Sequence, residues 1–175
     1  MRTAIQNSTS DDLDEIFRLY CIATDFQKAK AAVHWPEFDR QMIGNEILEN
    51  RQWKIEIDGK TACVWATTFS DPQIWEERNE DPALYIHRIA TDPDFRGQNL
   101  VTEIVRWAKG YATRNNKIFI RMDTVGENKG LISYYERCGF EFLGLSTLKN
   151  TEGLPAHYSN ATVCLFEIKL NSTKS

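Results

Sequence analysis

Tyr85–Gly97 reads YIHRIATDPDFRG, and Gln98–Ala112 continues it as QNLVTEIVRWAKGYA. Leu84–Thr91 has the apolar and β-branched content of a strand, and Asp92-Pro93-Asp94 ends it. Leu100, Ile104, Trp107, Ala108 and Tyr111 then recur at helical spacing and mark a long amphipathic helix. Arg96-Gly97-Gln98-Asn99 lies between the two. The first turn of a helix has free backbone N–H groups and the positive end of the dipole, so an anion such as a pyrophosphate binds well there. Arg96 adds charge and Gly97 permits close backbone approach. Taken alone the segment decides little, because many strand-loop-helix units contain a glycine and bind nothing. Lys117–Thr124 supplies the next strand, and strand, helix, strand in this order implies a right-handed parallel crossover.

Working outward, Thr3–Gln6 alternates as a short strand. Thr9 or Ser10 offers an N-cap for a helix over about Asp11–Thr24, whose Leu13, Ile16, Phe17 and Tyr20 share one face. Gln27–Asp39 is irregular and holds His34 and Trp35, and a second helix is expected near Asp39–Asn50. Trp53, Ile55 and Ile57 alternate as a half-buried strand, Asp58-Gly59 is a two-residue hairpin signal, and the return strand runs over about Lys60–Phe69. Ser70–Pro82 is polar and mostly acidic and reads as an exposed loop. Leu131–Arg137 is a short helix stopped by Gly139, and Phe140–Leu148 and about Ala161–Leu170 close the chain as strands. The order β-α-α-β-β-β-α-β-α-β-β describes a mixed α/β domain.

The chain has 175 residues, 42% of them hydrophobic, and a net charge of −4. That length suits one core. The mild acidity argues against nucleic acid as a partner. No apolar run approaches the roughly 18 residues of a membrane span, and the polar, acidic start is unlike a secretory leader. Cys21, Cys63, Cys138 and Cys164 are far apart, with no CxxC and no histidine at metal spacing, so no metal is expected and a reducing, cytoplasmic compartment is.

Asn128–Phe140 reads NKGLISYYERCGF. With Thr91-Asp92-Pro93-Asp94-Phe95-Arg96-Gly97 it resembles the two motifs of the GNAT superfamily of N-acetyltransferases, in which a strand ending in V-x-P-x-[YF]-R-G leads into a pyrophosphate loop and a later N-x-x-A-x-x-x-Y-[E]-[KR]-x-G-F element follows. The later element is matched by Asn128, Tyr135, Glu136, Arg137, Gly139 and Phe140. The resemblance covers nearly the whole chain. It implies a mixed, mostly antiparallel central sheet with a parallel, splayed strand pair at the cofactor site, flanked by helices. It also implies that residues 1–175 form a single acyl-CoA N-acyltransferase domain moving an acetyl group from acetyl-CoA to a primary amine of a small molecule or peptide. Asn99 and Val101 stand where the family loop has small residues, and Leu131 replaces an alanine. These departures bear on cofactor affinity and acyl-chain choice, and they keep open a catalytically degenerate acyl-CoA-binding regulatory module.

By the same resemblance, the backbone edge of Ile89, Ala90 and Thr91 pairs with the pantetheine arm of the cofactor. Arg96, Gly97, Gln98, Asn99, Leu100, Val101 and Thr102 hold the pyrophosphate, and Asn128 contacts the pantetheine side. Tyr135 matches the family tyrosine that protonates the departing thiolate, with Tyr134 left to pack the core. Alternation puts His87 on one face with Tyr85, Ile89 and Thr91, and serotonin N-acetyltransferases carry histidines at similar offsets, so His87 is the candidate base. A packed core histidine is an equal reading. Asp123, His34 and His157 are weaker candidates, the last in a Gly153–Asn160 loop whose counterpart lines the acceptor site. The acidic Ser70–Pro82 stretch with Trp35 and Trp75 suits a cationic or aromatic amine, or is a solvated surface. No membrane partner is expected, and a homodimer stays open.

Overall fold

Asp58 and Gly59 both take left-handed backbone, with φ of 49° and 80°, which is the two-residue turn that matches the twist of an antiparallel hairpin. The strands that it joins are β2 (Gln52–Ile57) and β3 (Lys60–Thr68), with Ile57 opposite Lys60. The other elements are β1 (Thr3–Asn7), α1 (Leu13–Ala29), α2 (Arg40–Leu48), α3 (Pro72–Trp75), β4 (Ala83–Thr91), α4 (Leu100–Arg114), β5 (Phe119–Val125), α5 (Lys129–Arg137), β6 (Glu141–Thr147) and β7 (Thr162–Lys169). The computed structural model describes residues 1–30 and 32–171; Ala31, within the segment expected to be irregular, and the last residues of the expected 1–175 domain lie outside these. The sheet order is β1-β2-β3-β4-β5-β7-β6. Pairing is antiparallel between β1 and β2, β2 and β3, β5 and β7, and β6 and β7, and parallel between β4 and β5. The expected α/β class and the single parallel pair are therefore what the chain adopts. Among the described residues no helix is long and apolar enough to cross a membrane.

The chain forms two compact units. The first comprises Met1–Thr67 and His87–Leu100. Its core joins Ile16, Leu19 and Tyr20 of α1, Phe38, Ile43 and Ile47 of the α2 region, Val64 of β3 and Ala90 of β4. Thr9 and Asp12 form a reciprocal capping box over a 3-10 turn at Ser10–Asp12, and this turn runs straight into α1. The helix continues to Ala29, five residues past the expected end, because Asp25–Ala29 contains no Gly or Pro and is rich in helix formers. Asp39 caps α2 by accepting a hydrogen bond from the Gln41 amide at 2.8 Å.

The second unit comprises Thr68–Ile86 and the chain from Val101 onward. Ile74, Trp75, Ala83, Tyr85, Leu148, Val163 and Leu165 form a core there. The expectation of an exposed loop over Ser70–Pro82 is overturned. Pro72 opens the short α3, a 3-10 turn follows over Glu76–Glu80, and Ile74 and Trp75 are each only 2% exposed. The physical cause is Arg121 of β5, itself 1% exposed. Its guanidinium donates to Asp81 Oδ2 at 2.6 Å, to the Arg78 carbonyl at 2.6 Å and to Glu167 Oε2 at 2.7 Å. It also lies over the faces of Trp75 and Phe119, at 4.7 and 4.6 Å from the ring centres. A buried cation is tolerable only when so paired, and the pairing draws the acidic segment inward.

Arg121→Ala leaves Asp81 and Glu167 without their cation and should destabilise the protein by about 3–5 kcal/mol in urea denaturation, the usual effect of breaking a buried pair. A loss below about 1 kcal/mol would show that these ion pairs do not anchor the 70–82 segment.

Candidate functional site

Parallel pairing of β4 with β5 covers only Ala83–Tyr85 against Phe119–Arg121, although β4 runs on to Thr91 and β5 to Val125. The parallel pair that the resemblance implied is thus present and three residues long on each strand. Three residues past the last pair, Arg88 has left-handed backbone with φ of 52°. This corrects one expectation. A left-handed residue interrupts the period of two, so alternation does not carry His87 onto one face with Ile89 and Thr91.

In the first unit, His87 is half-buried. Burial, with the cations of Arg88 and Arg51 nearby, holds its pKa down to about 3, so its imidazole is neutral at physiological pH. Ile89 and Thr91 are half-buried, and Ala90 belongs to the core. The Thr91 hydroxyl contacts Cys63 Sγ at 3.4 Å, and burial pushes the Cys63 thiol up to about 12, which makes it inert. Asp92 turns the chain: its side chain accepts from the Asp94 amide at 2.9 Å and pairs with Arg18 of α1, while its own amide donates to Ala62 O at 2.9 Å. A 3-10 turn at Pro93–Phe95 follows. Arg96 is exposed, its guanidinium 4.7 Å above the Phe26 ring. Gly97 and Asn99 have φ of 79° and 56°. A Cβ on Gly97 would meet no atom within 4 Å, so glycine serves the backbone angle there and not a steric need. Asn at 99 is the non-glycine residue best suited to such an angle. Helix α4 begins at Leu100, where the side chains of Leu100 and Val101 are buried and those of Gln98 and Thr102 exposed.

In the second unit, Asn128 is the N-cap of α5, its side chain accepting from the Leu131 amide at 3.1 Å. Tyr135 is buried among Tyr134, Phe140 and Phe166, with ring centres 5.4, 6.1 and 5.3 Å away. The packing role expected of Tyr134 therefore falls on Tyr135, and Tyr134 is half-buried. Trp75, expected to hold an acceptor cation, is occupied by the Arg121 guanidinium. In the first unit, Trp35 packs on Tyr20 and Phe38, at 5.7 and 5.9 Å, and His34 is exposed.

The second unit also assembles a group that spacing in the sequence does not announce. Asp123 sits on β5 two residues past the last pair with β4, and its Oδ2 accepts a hydrogen bond from the Tyr158 hydroxyl at 2.8 Å. A carboxylate oxygen of Asp71 lies within 4.8 Å of one of Asp123. Burial first, and then the charge of Asp123, push Asp71 up to about 8. Burial lifts Asp123 to about 6, against the opposing effect of Tyr158. His157 contributes a ring 4.3 Å from that of Tyr158. Only Asp123 and His157 stood out in the sequence. Asp71 was hidden among five other charges in an acidic run, and a tyrosine in a loop gives no signal of its own.

The sign of the Asp71 shift fixes a pH dependence. The folded-state value lies above the ordinary 3.8, so the stabilising contribution of the protonated acid is complete below about pH 4 and lost as pH rises to about 8. Asp71→Asn, which mimics the protonated acid, should gain stability relative to wild type across that window, at a slope no steeper than about 1.4 kcal/mol per pH unit, and level off above it. Melting curves of both proteins at a series of pH values give the difference; one that stays constant from pH 4 to 8 would mean that Asp71 ionises normally.

A family model described as the acetyltransferase (GNAT) family matches residues 14–140. An uncharacterized N-acetyltransferase of Methanocaldococcus jannaschii is 29% identical over 148 residues, which are 78% of this chain and 60% of that protein. YesJ of Bacillus subtilis, also an uncharacterized N-acetyltransferase, is 34% identical over 74 residues, 42% of this chain and 41% of that protein. The aligned stretches thus span from under half to about three-fifths of these relatives' length. A GNAT-family acetyltransferase from Listeria monocytogenes superposes with a TM-score of 0.75 at 22% identity, covering 96% of this chain and 95% of its own. Another from Streptococcus agalactiae gives 0.74 at 18% identity, with coverage of 97% and 95%. At these identities the superpositions speak for the fold. The family match covers well over half of the chain, and the chain belongs to the GNAT acetyltransferase family.

Proposed function

We propose that this protein transfers the acetyl group of acetyl-CoA to a primary amine of a small molecule or peptide. The observation that carries the reading is the turn in which Gly97 and Asn99 both take left-handed backbone immediately before the fifteen-residue helix α4. Such a turn leads the chain into a helix start whose first amides lack intrahelical partners, which is the setting that suits a pyrophosphate. In this reading the amides from Gly97 through Thr102 bind the pyrophosphate with help from Arg96, the edge of Ile89, Ala90 and Thr91 pairs with the pantetheine arm, and Asn128 flanks that arm. Asn128 already caps α5 through its carbonyl oxygen, which leaves its amide NH2 for the contact.

The reaction forms a C–N bond and breaks a C–S bond, while one proton leaves the amine and one reaches the departing sulfur. In this reading Tyr135, whose ring also packs among Tyr134, Phe140 and Phe166, supplies the second proton from its phenol. Two groups compete for the first. His87 is neutral, but a conjugate acid near 3 offers little driving force against an alkylammonium. Asp123, near 6 and oriented by Tyr158, is closer to the operating pH and is the stronger choice. Glu76 and Glu77 remain exposed and favour a cationic acceptor.

Calorimetry with acetyl-CoA and longer acyl-CoAs, followed by thiol release with a panel of amines, tests the whole. Binding with amine-dependent release is the expected result. Binding without release for any amine would establish the degenerate regulatory module instead, and no binding of any acyl-CoA would end the cofactor reading. Tyr135→Phe should lower kcat about a hundredfold with acetyl-CoA affinity changed less than about twofold. In kcat/KM profiles Asp123→Asn should remove an acidic limb near pH 6, whereas His87→Ala should leave that limb in place. The opposite pattern would return the base to His87.

A further inference from the structure

Arg88 is long and charged, yet its backbone is left-handed. That conformation costs a residue with a Cβ about 1–2 kcal/mol, so something outside the strand must hold it. Glu46 of α2 does so. Nη2 of Arg88 donates to both carboxylate oxygens of Glu46, at 2.6 Å to Oε1. The two side chains are 14% and 7% exposed. Nε of Arg88 donates to the Tyr20 hydroxyl of α1 at 3.3 Å, and the guanidinium lies 5.3 Å from the Phe38 ring centre. Arg51 adds a second cation to Glu46 at 3.4 Å, and Gln52 Nε2 donates to the same Tyr20 hydroxyl at 3.3 Å. The left-handed step thus turns the Arg88 side chain into the layer of α1 and α2.

Four residues on, the strand is tied down again. Asp92 pairs with Arg18 of α1, and its amide donates to Ala62 O at 2.9 Å. Ile89, Ala90 and Thr91 are therefore a three-residue span fixed at both ends by ion pairs to the helices of the same unit. Packing alone does not require this. An ion pair in an apolar setting can often be exchanged for hydrophobic residues without loss of stability, and what its directional bonds add is a defined geometry.

We propose that Glu46 and Arg88 are positioning residues for the cofactor: their ion pair fixes the left-handed step at Arg88 in β4 and with it the direction in which the backbone groups of Ile89, Ala90 and Thr91 are presented to the pantetheine arm. The inference rests on the cofactor reading above. It makes a distinction that a general loss of stability does not, because the arm senses this edge and the nucleotide end of the cofactor does not.

The test uses two probes on the full chain, CoA and 3′-phosphoadenosine 5′-diphosphate, which lacks the pantetheine arm. Affinities are measured by calorimetry well below each variant's melting temperature. Glu46→Gln removes the charge, Arg88→Lys keeps a cation but loses the separate Nε–H bond to Tyr20 and the planar guanidinium, and Arg88→Gly permits the left-handed backbone without the anchor. Each should weaken CoA on the order of tenfold or more while changing the nucleotide less than about twofold, and each should raise KM for acetyl-CoA more than it lowers kcat. Should Glu46→Gln fail to fold, the two Arg88 variants decide alone. Variants that bind CoA as wild type does, or that lose CoA and nucleotide equally, overturn the inference and leave the cofactor reading standing. A wild-type chain that binds neither probe overturns both.

Discussion

A strand that runs on beyond its ladder with a neighbour leaves backbone groups to be satisfied in another way. β4 and β5 pair in parallel over three residues each and then run on, β4 to Thr91 and β5 to Val125. On its other side β5 keeps a full antiparallel ladder with β7, from Phe119 opposite Lys169 to Val125 opposite Val163. Beyond Arg121 the side of β5 that faced β4 therefore has no strand partner among the described residues. Backbone N–H and C=O groups left in this way are obligatory hydrogen-bonding groups. On β4 the corresponding groups are those of Ile89, Ala90 and Thr91, the edge that the proposed reading gives to an amide-bearing arm. The turn after β4, left-handed at Gly97 and Asn99, then leads into a helix start suited to anionic charge. Along the chain the edge of Ile89, Ala90 and Thr91 precedes the turn at Gly97 and Asn99, the order in which the proposed cofactor reading uses them.

The electrostatics divide the titratable groups by task. Arg121 is buried with Asp81, Glu167 and a carbonyl, and these bonds satisfy it within the fold. His87 lies under the influence of two arginines and loses basicity for that reason. Asp71 and Asp123 are shifted the other way: burial raises both, the charge of Asp123 raises Asp71 further, and at Asp123 burial outweighs the hydrogen bond from Tyr158. Groups whose surroundings leave them poised near neutrality are the ones able to exchange protons with an amine. The proposed reading turns to Asp123 on that ground, although strand position alone had favoured His87.

Much of the fold was readable in local chemistry. Asp58-Gly59 named its own turn, and Gly97 and Asn99 are the two residue types that tolerate the angles found there. The strand, turn and helix of Tyr85–Ala112 emerge where periodicity put them. The site was less legible, for three separable reasons. Nothing in an arginine signals left-handed backbone, so the step at Arg88 was invisible and the alternation argument for His87 failed with it. An acidic run reads as solvated unless the cation that draws it inward is known, and Arg121 lies forty residues away from Asp81 in the chain. Adjacent Tyr134 and Tyr135 cannot be assigned to surface and core by spacing, since one residue of helix rotation decides between them.

The choice of residue at 88 shows how positional accuracy and stability are traded. Glycine would adopt φ of 52° with no Cβ penalty, roughly 1–2 kcal/mol cheaper than any other residue in the folded backbone. Glycine would also leave the strand free to straighten, because an unsubstituted residue is equally at home with negative φ. Arginine accepts the backbone cost and returns an ion pair in which Nη2 is shared by both oxygens of Glu46, a bond to Tyr20 and a ring contact with Phe38. Breaking a buried pair of this kind costs about 3–5 kcal/mol, more than the backbone strain that it has to offset. The left-handed state is therefore held by the side chain against the preference of the backbone. A strand fixed in this manner has one shape, which is what a backbone edge needs if it is to be read by a ligand.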